Sequence, residues 1–195
     1  MATVPLGQKC WPEVSIYVKR SKITVILSRI PDHICSILYF PYSKFSMNFY
    51  PGNIINQCSF DYRKKLTEQD KPVGESYLQR CVGIKNIGSF AFARIDEEDK
   101  EASVESSIKN MFEQCIKKNK ADGEKPTFKS VLIPYSSQLG NPEKFLMQAV
   151  RSLEESEGIK EVIISTNKLD AFEEASKVFL SIIKQLGELN EIVID

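Results

Sequence analysis

Val14, Ile16 and Val18 alternate with polar neighbours, and so do Ile23, Val25 and Leu27 beyond Lys19-Arg20-Ser21-Lys22. A period of two predicts a pair of half-buried strands joined by a tight polar connection, a hairpin. Ile34-Cys35-Ser36-Ile37-Leu38-Tyr39-Phe40 is apolar on both faces, as expected of a central strand covered on two sides and stopped by Pro41. Residues 41–75 read as a loop-rich insert, punctuated by Pro41, Pro51, Gly52, Pro72 and Gly74, with an irregular helix over Ile54–Leu66. Tyr77–Val82 and Ser89–Ile95 follow as strands, and Asp96-Glu97-Glu98-Asp99 as a solvated turn.

The rhythm then changes to that of helices. Val104, Ile108, Met111, Phe112, Cys115 and Ile116 share one face, with Ser103 as the expected cap and Ala121-Asp122-Gly123 as the break. Phe128–Pro134 is a strand. Asn141 caps a second helix with Pro142 at its first position, Phe145, Leu146, Ala149, Val150 and Leu153 on its buried face and Gly158 beyond its end. Val162-Ile163-Ile164 is another strand. Asp170 with Glu173 makes a capping-box-like start for a helix lined by Phe172, Ala175, Phe179, Ile182 and Leu186 and stopped by Gly187, and Ile192-Val193-Ile194 ends the chain as a strand. Alternation of this kind predicts an α/β fold, a three-layer α/β/α sandwich around a mixed, mostly parallel sheet. We expect one domain over residues 14–195, preceded by an N-terminal extension, 1–13. Ligands of such sheets lie beyond the carboxyl ends of the strands, which directs attention to Phe40–Asn53, Arg94–Asp96, Pro134–Gly140 and Ser165–Asp170.

With 195 residues, 42% hydrophobic and 27% charged, the chain can bury a full core without disulfides or a structural metal. Its formal charge is zero, from 26 basic and 26 acidic side chains, which argues against a protein whose main task is to neutralise phosphate backbones. Residues 1–66, however, hold nine basic and three acidic side chains, so RNA, phosphate or an acidic partner stays open for that half. Five scattered cysteines, no C-x-x-C pair and one histidine predict reduced thiols and no metal site. No apolar run reaches the roughly 18 residues of a membrane span, and MATVPLGQKCWPE lacks the apolar centre of a signal peptide. A soluble cytoplasmic or nuclear protein without membrane partners or cofactor is the expectation.

The most specific chemical feature is Ser130–Pro142, where a buried strand runs through Tyr135-Ser136-Ser137-Gln138-Leu139-Gly140 into a capped helix. Free backbone N–H groups and a helix dipole there suit an anion, while the single glycine equally suits an ordinary strand-to-helix turn.

Over roughly residues 14–186 the sequence resembles the macro domain family, which binds ADP-ribose and related nucleotides. The resemblance is carried by topology and by Ser28-Arg29-Ile30, Pro72-Val73-Gly74-Glu75, Pro134–Gly140 and the Asn167–Phe172 stretch. It implies Gly52, Asn53, Tyr135, Ser136, Ser137, Gln138, Leu139, Gly140 and Asn167 as candidate ligand-binding residues. Four departures bear on that implication. Ser28-Arg29-Ile30 replaces a Gly-Asp-Ile stretch and puts a cation where an aspartate would accept from the adenine amine. Phe40-Pro41-Tyr42-Ser43 replaces Asn-Ala-Ala-Asn and supplies no amide for the distal ribose. Asn48-Phe49-Tyr50-Pro51-Gly52-Asn53 replaces a run of glycines that lets backbone approach the diphosphate. The second phosphate loop keeps only Gly140.

No catalytic residue is assigned. His33 stands before a strand rather than at its carboxyl end, a cysteine nucleophile needs a base near the site and the one histidine would have to serve a thiol from a distant segment, and Asp96 and Asp170 are explained as a turn and a cap. The aromatics between Tyr39 and Tyr62, interleaved with Lys44, Arg63, Lys64 and Lys65, divide between core packing and a surface for a partner, with Tyr42, Phe45, Phe49 and Tyr50 as candidate interaction residues. The reading that follows is a non-catalytic, divergent macro-domain-like module for protein interaction or weak nucleotide or ADP-ribose binding. Its rivals are an ADP-ribose-protein hydrolase or related phosphoester-processing enzyme, using Asn48 or Asn53 with Asp96 or Asp170, and an RNA-binding module.

Overall fold

The computed structural model describes residues 12–47, 49, 52–68, 71–156 and 158–187. The opening hairpin forms as β1 (Glu13–Val18) and β2 (Ser21–Leu27), antiparallel from Glu13 opposite Ile26 to Val18 opposite Ser21. Its turn needs only Lys19 and Arg20, with Lys19 at φ 56°.

The central strand β3 (Cys35–Tyr42) continues through Pro41, against the expectation that the proline would end it. Ile95 N–H donates to Tyr42 O at 2.9 Å, so the Tyr42 backbone faces the strand on that side and the Pro41 nitrogen faces the other. On that other side the ladder has already stopped at Leu38 opposite Leu132, so the missing N–H removes no hydrogen bond. The insert holds two short pieces rather than one irregular helix, a 3-10 turn over Ile54–Gln57 and helix α1 (Tyr62–Glu68). After it come β4 (Ser76–Arg80), β5 (Ile87–Arg94), α2 (Lys100–Asp122), β6 (Ser130–Pro134), α3 (Pro142–Glu155), β7 (Glu161–Thr166) and α4 (Leu169–Gly187).

Two helix starts differ from expectation. Asp99 caps α2 by accepting from Ala102 N at 3.4 Å, and Ser103 lies inside the first turn, donating to Asp99 O at 2.9 Å. Helix α4 begins at Leu169, with Phe172 N bonded to Lys168 O at 3.0 Å, so Asp170 is a first-turn acid favourable to the helix dipole and not the cap. Asn141 and Pro142 start α3 as expected, Asn141 accepting from Glu143 N at 2.9 Å. The strand expected at Ile192–Ile194 lies outside the described residues.

The seven strands lie in the order β1-β2-β7-β6-β3-β5-β4, with the five inner strands parallel and the two edge strands antiparallel to their neighbours. Steps from β5 to β6 to β7 run in one direction across the sheet, so right-handed crossovers put α2 and α3 on one face, where α4 packs beside them. There Ile37, Tyr39, Val131 and Ile133 meet Ile108, Phe112, Leu146, Val150 and Phe179 in the main core. The steps from β2 to β3 and from β3 to β5 run the opposite way. Their connections, the short β2–β3 link and the insert after β3, make the third layer, in which Ile30, Ile54, Ile55, Tyr62 and Leu66 cover Leu38, Phe40, Phe90 and Phe92. The sandwich is therefore three-layered but unequal.

Candidate functional site

Parallel pairing brings the carboxyl ends of β2, β7, β6, β3 and β5 to one rim. At the end of β6, Tyr135 N–H continues the ladder by donating to Ser165 O at 2.8 Å. The Tyr135 side chain turns inward, stacks on Phe145 with ring centroids 5.1 Å apart, and donates its hydroxyl to Glu174 at 3.1 Å. Burial, with the Glu174 carboxylate beside it, pushes that phenol's pKa up. Leu139 is buried as well, so Tyr135 and Leu139 offer a ligand no side chain.

Residues Ser137–Leu139 make a single 3-10 turn in which Leu139 N bonds Ser136 O at 3.0 Å and Gly140 N bonds Ser137 O at 3.3 Å. The Ser137 and Gln138 N–H groups lie ahead of the turn's own acceptors, and both side chains are exposed. The Ser136 hydroxyl is buried and without a partner among the described residues. Gly140 closes the loop at φ 93°, against Glu101 of α2. Glu101 accepts from Asn141 N at 3.1 Å and pairs with Lys144 at 3.3 Å, interactions that hold its carboxyl below the usual carboxylate range.

The segment after β3 is shaped by its own side chains. Ser43 Oγ accepts from Ser46 N at 2.9 Å and Phe45 N at 3.2 Å and donates to Glu97, so this hydroxyl ties its own loop to the segment between β5 and α2. Among the aromatics expected at an interface, Phe45 is 82% exposed, but Tyr42 at 1% and Phe49 at 7% are not presented to a partner. Phe49 turns into the main core, in the cluster that holds Ile95, Val104 and Leu139, with Lys100 Nζ 5.9 Å from its ring centroid. Gly52 is buried and its carbonyl accepts from Arg63 of α1 at 3.3 Å, whereas Asn53 is exposed. Asn48 and Tyr50 lie outside the described residues. Tyr135 through Gly140 thus gather with exposed Asn167 at the neighbouring ends of β6 and β7, while Gly52 is tied toward the thinner layer through α1.

A polar network at the end of β2 was not legible in the sequence. Ser28 Oγ lies 2.5 Å from His33 Nε2 and 3.1 Å from Ser165 Oγ, which in turn donates to Ser28 O at 3.2 Å. Ser28 and Ser165 are buried, and burial lowers the His33 pKa against the opposing charges of Asp32, Glu161 and Glu13. The network fastens the β2–β3 crossover to β7; only the two serines at strand ends could have signalled it. The acids of the rim are likewise engaged, Asp96 accepting from Glu98 N at 3.0 Å and Asp170 from Ala171 N at 2.9 Å. Burial pushes the thiols of Cys35, Cys58 and Cys115 up to about 12, far from the thiolate a nucleophile needs. Among the described residues no cluster of three or more His, Cys, Asp or Glu could hold a metal, and no helix is long and apolar enough to cross a membrane.

No family model matches the sequence, and no curated protein is significantly similar to it. Solved structures are. The macrodomain of Oceanobacillus iheyensis with ADP superposes with a TM-score of 0.72 at 11% identity, over 91% of this chain and 100% of that one. The Trypanosoma brucei macrodomain gives 0.66 at 12% identity in complex with ADP, over 83% of this chain and 70% of that one, and 0.64 at 9% in complex with ADP-ribose, over 80% and 68%. These superpositions, over most of its length, show that the chain has the macrodomain fold.

Proposed function

We propose that this protein is a divergent, non-catalytic macrodomain-fold module that works chiefly through protein interaction and holds ADP-ribose or a related nucleotide only weakly. The observation that carries this reading is Phe49, whose ring is 7% exposed and part of the main core in the loop where close approach to a diphosphate would require bare backbone. Arg29, exposed just past the end of β2, supplies a donor where an adenine amine needs an acceptor, and the Ser43 hydroxyl is committed to its own loop and to Glu97. The fold and the open Ser137 and Gln138 amides support a residual affinity for anions. Catalysis has no support in the rim acids Asp96 and Asp170, each of which accepts from a backbone N–H of its own segment.

Crystals soaked with ADP-ribose, together with an assay on an ADP-ribosylated substrate protein, test this reading. It expects no ordered dinucleotide at the β6 and β3 ends and no loss of ADP-ribosyl signal. An ordered ligand there, or signal loss abolished by Asn53→Ala, overturns it.

A further inference from the structure

The far edge of the sheet is open at one backbone position, and the role inferred for it deepens the interaction reading above and rests on it. Arg94 N donates to Glu75 O and Cys81 N to Gly88 O, each at 2.9 Å, and this sets the phase of the β4–β5 ladder. Tyr77 and Gln79 point their backbone groups at β5, and Ser76, Leu78 and Arg80 point theirs outward. Two of the outward positions are closed by side chains. Ser76 N donates to Asn110 at 3.0 Å, Ser76 O accepts from Gln114 at 2.5 Å, and Arg80 O accepts from the Tyr62 hydroxyl at 2.6 Å. Leu78, between them, has neither its N–H nor its C=O bonded among the described residues.

Beside this open position lies a groove of about 560 Å³ between β4 and α2. Leu78, Ala121 and Phe128 give it an apolar floor, and every charged side chain along it is basic: Arg80, Lys117 and Lys118. Lys118 is held by Asp122 at 2.8 Å; Arg80 and Lys117 are exposed and in no ion pair among the described residues. Cations beside an edge strand repel the same edge of another copy and attract a segment of opposite charge. We infer that the β4 edge and this groove bind an extended acidic peptide segment of a partner protein. Its main chain pairs with Leu78, an apolar residue enters the groove, and its carboxylates meet Arg80 and Lys117.

The probe is the fluorescently labelled peptide Asp-Val-Glu-Val-Glu-Val-Asp, titrated against the full chain by anisotropy at low salt, with a version carrying Lys at every acidic position and one with Pro at the centre. The acidic peptide is expected to bind at least about tenfold tighter than either control. The double variant Arg80→Glu with Lys117→Glu, checked for an unchanged melting temperature, should reverse the preference between acidic and basic peptides. Amide NMR should place the largest shift change at Leu78. Equal affinity for acidic and basic peptides, an unchanged preference in the double variant, or no binding at millimolar peptide overturns the inference. ADP-ribose titrated into the same double variant separates the two readings, because micromolar affinity there contradicts the proposed function and leaves the peptide result standing.

Discussion

Gly140 and Glu101 meet across the junction of the β6–α3 loop and α2 so closely that a Cβ on the glycine would stand 2.7 Å from the glutamate Cγ. With φ 93° and ψ −161°, the backbone there is in a region open almost only to glycine. The one glycine left in this loop is therefore required by docking onto α2 whether or not an anion binds. Gly140→Ala is expected to cost about 2 kcal/mol, read as a lower urea midpoint at unchanged slope. An unchanged midpoint would contradict this role.

Phe49→Ala removes a ring from the main core at the rim. Truncation of a buried phenylalanine costs about 3 kcal/mol, and urea unfolding of the variant should show a loss of that size. A loss below about 1 kcal/mol would mean that the ring lies on the surface rather than within the core.

The His33 imidazole gives stability a defined pH dependence. Burial lowers its folded pKa below the ordinary 6.5, so on acidification the unfolded chain takes up the proton first. The contribution is complete above about pH 6.5 and is lost as pH falls through the lowered folded value. Urea midpoints at pH 7.5 and pH 5 should therefore fall further in the native protein than in His33→Gln. Parallel behaviour of the two proteins would contradict the assignment.

Thiol labelling probes both faces of the sheet, Cys115 lying in the main core and Cys35 and Cys58 in the thinner layer. Cys35, Cys58 and Cys115 are pushed up to about 12, so at pH 8 the folded protein should label at these positions at least about 100-fold more slowly than free cysteine, resolved peptide by peptide by mass spectrometry. Rapid labelling of Cys58 would show that its burial is lost in solution.

Much of the fold was legible because periodicity reports burial directly. The alternation over Val14–Val18 and Ile23–Leu27 and the helical stripe through Phe145, Leu146, Ala149 and Val150 appear as β1, β2 and α3. Pro41 misleads because the cost of a proline depends on which side its missing N–H faces, and only the sheet order fixes that side. The start of α2 is misread for a related reason: Ser103 and Asp99 are both good caps, and the choice follows from where β5 releases the chain. The rim was less legible. Tyr42, Phe45 and Phe49 belong to one aromatic run, yet two are buried and the third is 82% exposed: Tyr42 ends β3, and the loop beyond it has no period to sort Phe45 from Phe49. The Ser28, His33 and Ser165 network joins residues 137 positions apart and leaves no local signature.

Calorimetry of the full chain with ADP-ribose tests the central claim most directly. With Phe49 in the core and Ser43 bonded within its loop, the account expects a dissociation constant no tighter than about 1 mM, near −4 kcal/mol. A constant of about 1 μM, near −8 kcal/mol, would contradict it.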